Sequence, residues 1–177
     1  MIRTVFLALS LFDGSSLAGW SPTGDIAWQV EGGAIVATGA GDGFLVSERE
    51  FGNFHLSLEF WVDGTTNSGV FIRCTDRRRI HPDTGYELNI WDHHPRQEAR
   101  TGAIVFRAMP PLAEVRTVGR WNTLEAEARG PLLELRINGQ LTARLDDAAL
   151  RSGFIALQHW EAGTVKFRNI VITPLED

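Results

Sequence analysis

The chain has 177 residues, 44% hydrophobic and 22% charged, which suits one folded domain (residues 1–177) with room for one sizeable core. Its 22 acidic residues outnumber 17 basic ones for a net charge of −5, and the basic residues, all arginine except Lys166, are interleaved with Asp and Glu, so nothing marks a nucleic-acid partner. A single cysteine, Cys74, excludes an intrachain disulfide framework and a cysteine-built zinc site, and no apolar run is long enough to span a bilayer as a helix.

In chain order, "MIRTVFLALSLFDG" carries one Arg and an apolar stretch but no small-residue cleavage site. It reads as a first strand, with a cytoplasmic address; a trimmed export signal in the parent gene would make the address periplasmic or secreted. The segments "FHLSLEFWV" (54–62), "SGVFIRC" (68–74), "GYELNIW" (85–91), "GAIVF" (102–106), "NTLEAEAR" (122–129) and "LLELRIN" (132–138) alternate apolar and polar side chains, the period of a half-buried strand. Between them lie "DGTTNSG", "HPDTG", "RGP" and "NG", rich in the residues that turns require. Asn138-Gly139 between two apolar runs is a two-residue hairpin signal. The basic run Arg77, Arg78, Arg79 reads as a solvated loop. "DDAALRS" (146–152) is the one candidate helix, a turn or two long. Around a dozen short strands and at most one short helix predict an all-β, antiparallel two-sheet sandwich of jelly-roll type, one sheet curved with a polar concave face.

Parity along each strand assigns faces. In 54–62, Phe54, Leu56, Leu58 and Phe60 point to the core, and His55, Ser57, Glu59 and Trp61 to the open face. In 68–74, Val70, Ile72 and Cys74 go inward, leaving Phe71 and Arg73 open. In 86–92, Leu88 and Ile90 go inward and Glu87, Asn89 and Trp91 outward. In "GFIALQHW", Ile155, Leu157 and His159 share one face, and Phe154, Ala156, Gln158 and Trp160 the other. A tryptophan ring stacks on the C–H face of a sugar while polar groups bind its hydroxyls, so carboxylate, arginine, amide and aromatic recurring on open faces point to a carbohydrate cleft, provided these strands are neighbours in one sheet. Glu59 taken alone is more often surface decoration. Trp20, Trp28 and Trp121 read as core residues. Asn67 reads as a turn residue whose loop lies on the cleft rim.

The motifs FDG-x-x-L-x-GW (12–20), NSGVFIR (67–73) and FRNI (167–170), with "TGYELNIWD" and "GRWNTLEAEARGPLLELRINGQL" in order between them, make the chain resemble the 3-keto-disaccharide hydrolase domain family over nearly its whole length. The resemblance implies a concanavalin A-like jelly roll acting on sugars oxidised to a ketone at carbon 3. The family pattern often carries Gln where this chain has Asn89, and many relatives carry a clear signal peptide, which this chain lacks.

A carbonyl at C3 acidifies the C2 hydrogen, so a base can remove it and the enolate can expel the substituent at C1; water may then add to the enone for net hydrolysis. Such an enzyme needs a base, an enolate-stabilising group and an acid. Glu59 or Glu87 is expected as the base and Arg73 as the oxyanion partner. Gln158, Asn89 and Asn67 are expected to hold hydroxyls, and Trp61, Trp91 or Trp160 to provide a stacking platform. Asp92 with His94 and His159 could assemble a divalent-metal site that polarises the ketone, the plainer reading of "DHHPR" being a polar loop. No phosphate loop, dinucleotide fingerprint or Gly-x-Ser-x-Gly elbow is present, so the ketone must come from an upstream sugar 3-oxidoreductase. Two alternatives stand beside this reading: a non-catalytic carbohydrate-binding module, and an ordinary glycosidase pairing Glu59 with Glu87. A jelly roll of this size often pairs with a second copy, which would make a homo-oligomer.

Overall fold

The computed structural model describes residues 7–108 and 115–176. Thirteen strands follow in order: β1 (Leu9–Ser10), β2 (Trp20–Gly24), β3 (Trp28–Glu31), β4 (Ala34–Thr38), β5 (Gly43–Phe51), β6 (Phe54–Val62), β7 (Asn67–Cys74), β8 (Tyr86–Ile90), β9 (Asn122–Arg129), β10 (Leu132–Ile137), β11 (Gln140–Asp146), β12 (Gly153–Trp160) and β13 (Thr164–Pro174). They form two antiparallel sheets. The larger runs β11-β10-β9-β6-β13-β4-β3, with β1 beside β13; the smaller runs β2-β5-β12-β7-β8.

The larger sheet follows the alternating pattern directly. Phe54, Leu56, Leu58, Phe60 and Val62 of β6 are buried, and the residues between them are half-buried. β9 and β10 alternate in the same way, and the Asn138-Gly139 turn, with φ of 50° and 78°, closes the β10–β11 hairpin as its sequence requires. Their apolar face packs on Leu45, Val70, Ile72, Leu88, Ile90, Ile155 and Leu157 of the smaller sheet in one continuous core. Each large aliphatic or aromatic side chain fully enclosed there contributes on the order of 2–3 kcal/mol.

The smaller sheet is different: β7 and β8 are buried on both faces. Its outer face has an apolar cluster of its own, made of Val46, Phe71, Cys74 and Ala156 with Phe44, Ile80 and Phe154 packed against it. The expected polar face is therefore a mixed one, with an apolar floor.

A bulge crosses this sheet. Along β12 one residue separates Phe154 from Ala156, whereas their β7 partners Cys74 and Phe71 are separated by two, and Arg73 takes a left-handed φ of 53°. Gly153 completes the crossing, since a Cβ there would collide with the Cys74 carbonyl. The extra residue reverses parity: Cys74 joins Phe71 on the outer face instead of the core face, and Arg73 leaves the open face altogether.

Three other expectations change. Residues 146–152 form no helix; the described residues have a 3-10 turn at Gln97–Ala99. "GAIVF" is a bridge-and-turn segment rather than a strand, with its backbone bonded along the free edge of β8. Trp20 and Trp28 are core residues, but Trp121 is half-exposed beneath the Arg168 guanidinium, 3.9 Å from its ring centroid. Of the expected first strand, residues 1–6 lie outside the described residues and β1 is its remainder.

Candidate functional site

Pairing across β8, β7, β12 and β5 lines up two rows on the outer face of the smaller sheet. One row is Asn89, Gly69, Gln158, Phe44; the next is Glu87, Phe71, Ala156, Val46. At the end of the face Asn67 stands opposite Trp160. The site thus gathers Glu87, Asn89, Gln158, Asn67 and Trp160 from the expected set.

Gly69 decides how closely these groups approach. A Cβ there would lie 3.2 Å from Gln158 Oε1, 3.2 Å from the Leu88 carbonyl oxygen and 3.6 Å from Glu87 Cγ. With no side chain on the middle strand, the side chains of its two neighbours meet above it. Glu87 and Gln158 are both buried, at 9% and 6% exposure. Burial pushes the Glu87 carboxyl up to about 7, and the Gln158 amide, hydrogen-bonded to it, opposes that rise. A carboxyl so tuned exchanges protons near neutral pH.

Asn89 donates through Nδ2 to the Ala99 carbonyl. Its Oδ1 and Gln158 Oε1 are buried without a hydrogen-bond partner among the described residues, a placement that costs about 1–3 kcal/mol per group in an otherwise satisfied interior. The floor beside them is aromatic. Phe44 meets Phe71 edge-on at 5.5 Å and lies 6.2 Å from Trp160, whose ring is 37% exposed. Trp91, half-buried just past β8, holds His94 edge-on at 4.4 Å.

Several expected site residues are elsewhere. Glu59 and Trp61 sit on β6, in the larger sheet, and face outward on the opposite side of the sandwich from Glu87. Glu59 accepts from Arg168 Nε at 2.8 Å and from Asn169 Nδ2, and its pKa is lowered chiefly by the Arg168 hydrogen bond. Trp61 lies under Lys166, 5.1 Å from the ring centroid. The parity argument assumed one sheet, and these residues fail it because β6 pairs with β9 and β13.

Arg73 is fully buried. It donates to the carbonyls of Gly52, Gly130 and Leu150 and to Asn53 Oδ1, which ties three loops together at one end of the sandwich. Its role is structural and it offers the site no guanidinium.

The expected metal set does not converge, and no group of three or more potential ligands occurs among the described residues. Asp92 spends its oxygens on Thr101 Oγ1 (2.5 Å), Thr117 N (2.6 Å) and Thr117 Oγ1 (2.7 Å), pinning two loops. His94 Nδ1 accepts from the Arg96 amide within its own loop, and both ring nitrogens of fully buried His159 contact backbone carbonyls, those of Gly41 and Gly163. These donors do not fit an ion.

Two contributors escaped the sequence reading: Gly69, and Phe44 in the stretch "GDGFLV". A glycine interrupting a strand pattern commonly marks close approach of other groups, and that signal was present in "NSGVF".

The two-sheet antiparallel sandwich defines the class, a domain of galectin- and concanavalin A-like fold, and the family match and a solved relative support a carbohydrate-related function. More specifically, the chain belongs to the 3-keto-alpha-glucoside-1,2-lyase-like domain family, which matches residues 8–173. Among solved structures it is similar to two candidate glycosyl hydrolases of Parabacteroides distasonis ATCC 8503. One is 22% identical with a TM-score of 0.81 over 96% of this chain and 94% of that one; the other is 27% identical with a TM-score of 0.76 over 84% and 90%. The carbohydrate-binding module CBM66 of Bacillus subtilis shares the fold at 21% identity and a TM-score of 0.64, over 90% and 98%. No curated protein matches the sequence.

Proposed function

We propose that the protein cleaves the glycosidic bond of 3-keto-glycosides, with Glu87 as the proton-transfer group. The carrying observation is a buried carboxyl, raised to about 7 and held by Gln158 over the space that Gly69 leaves free of a side chain. Family membership supports the substrate class. The sugar ring lies on the outer face against Glu87 and Gln158. Ionised Glu87 takes the C2 proton, acidified by the C3 ketone, and the enolate expels the C1 oxygen. Protonated Glu87 then returns that proton to the departing oxygen, so one carboxyl is base and then acid. Water adding to C1 of the enone, with a proton back at C2, makes the sum a hydrolysis.

Gln158 has a second amide hydrogen for a substrate oxygen, and its Oε1, with Asn89 Oδ1, supplies acceptors for hydroxyl donors. Trp160 and Phe44 offer the stacking surface. An upstream oxidoreductase supplies the ketone. Direct hydrolysis by Glu59 and Glu87 lacks its geometry, because the two carboxylates belong to opposite sheets. A non-catalytic sugar-binding module is the second reading, favoured by the exposed Trp160 platform.

The purified protein is mixed with a 3-keto-glucoside and with the matching unoxidised glucoside. Turnover of the keto compound alone, lost in Glu87→Gln, is the expected result. Binding without turnover would establish the second reading, and full activity in Glu87→Gln would refute the assignment of the base.

A further inference from the structure

The segment beside β8 ends in an unusual rim. Val105 donates its N–H to the Glu87 carbonyl at 2.9 Å, and Ile104 and Ala108 pair with each other, so Phe106 sits near the apex of a tight reversal one residue beyond the bond to the candidate catalytic strand. Phe106 has a φ of 61°, a region that bulky residues rarely occupy and that costs about 1–2 kcal/mol where glycine would cost nothing. Its side chain is 65% exposed; of the large exposed hydrophobic residues described, the two aromatic ones are Phe106 and Trp160.

The reversal is anchored rather than loose. Arg107 forms a 2.6 Å ion pair with Asp147, donates to the Pro82 carbonyl and stacks over Tyr86 at 5.0 Å. From the other side the Arg96 guanidinium lies 5.5 Å from the Phe106 ring centroid. Strained backbone positions cluster at functional sites, and an exposed aromatic ring offers a flat apolar face to a ligand. Trp160 and Phe44 stand on the β12 and β5 side of Gly69, and Phe106 stands beyond Glu87 on the other side.

We propose that Phe106 is a specificity-determining residue that seats the leaving group, accepting on its ring a flat apolar face, whether an aryl group or the C–H face of a second sugar. This rests on the reading of Glu87 given above: with the glycone against Glu87 and Gln158, a group leaving on the far side of Glu87 meets the 102–106 segment that borders β8.

The test compares 3-keto-glucosides carrying methyl, phenyl and glucosyl leaving groups in the wild type, Phe106→Gly and Phe106→Tyr. Glycine relieves the left-handed strain, so that variant folds at least as well, which a thermal melt verifies. In Phe106→Gly the kcat/KM ratio of phenyl over methyl falls roughly tenfold, mainly through KM, and Phe106→Tyr restores it. An equal fall for glucosyl over methyl identifies a sugar as an accepted occupant; a fall for phenyl alone confines the platform to aryl groups. Unchanged ratios in a folded, active variant overturn this inference alone. Absence of turnover by the wild type on all three overturns the reading beneath it as well.

Discussion

Replacing Glu87 by Gln should abolish turnover and stabilise the fold, the second effect with a pH dependence set by the burial of its carboxyl. Burial raises its carboxyl from 4.5 to about 7. Below pH 4.5 the acid is protonated in both folded and unfolded chains, and the wild type carries no penalty. Between 4.5 and 7 the unfolded chain releases its proton while the folded one retains it, so stability falls as pH rises; above 7 both are ionised and the loss is complete. Each pH unit in that window is worth about 1.4 kcal/mol, which makes the total about 3 kcal/mol. Glutamine keeps the shape and the hydrogen bond to Gln158 without the ionisation. Denaturant unfolding at pH 4 and pH 8 measures the difference: Glu87→Gln should gain about 3 kcal/mol on the wild type between the two, while wild-type kcat/KM rises with pH through a midpoint near 7 and levels off above it. Wild-type and variant stabilities that run parallel across this range would refute the claim that the carboxylate is ionised against its burial.

Arg73→Met leaves three backbone carbonyls without the guanidinium and should cost at least about 3 kcal/mol, read as a fall in Tm of roughly 6–12 °C. Asp92→Asn should lose about 2 kcal/mol by the same measurement, and added divalent metal should leave the Tm of wild type and variant alike unmoved. Glu59→Gln weakens a partly exposed pair with Arg168 and a contact with Asn169, so stability should change by less than about 1 kcal/mol and turnover of a 3-keto-glucoside should remain at the wild-type rate. Cys74, its thiol pushed up to about 12 by burial, should react with a thiol reagent only as fast as the protein unfolds, which a titration at rising denaturant checks.

Part of the site was legible in the residues. Strict alternation in β8 and β12 assigned Glu87, Asn89, Gln158 and Trp160 correctly to open faces, because both strands are regular beside Gly69 and share β7 as a neighbour. The same rule misplaced Arg73 and Cys74, since one inserted residue in β7 reverses every face beyond it and nothing in "FIRC" announces the insertion. It also misassigned Glu59. Its face relative to its own strand was right, but β6 belongs to the other sheet.

The sequence by itself determined most of the strands, the continuous apolar core, the Asn138-Gly139 hairpin and the family, because alternation, turn chemistry and motif order are properties of neighbouring residues. Tertiary structure alone decided that Glu87 has Gln158 above Gly69 as its partner and not Glu59 or Arg73, and that Asp92 and His159 are consumed by loops. Those outcomes depend on which distant strands pair and where one bulge falls. Burial, the cause of the raised Glu87 pKa, exists only once these strands and loops have closed around it.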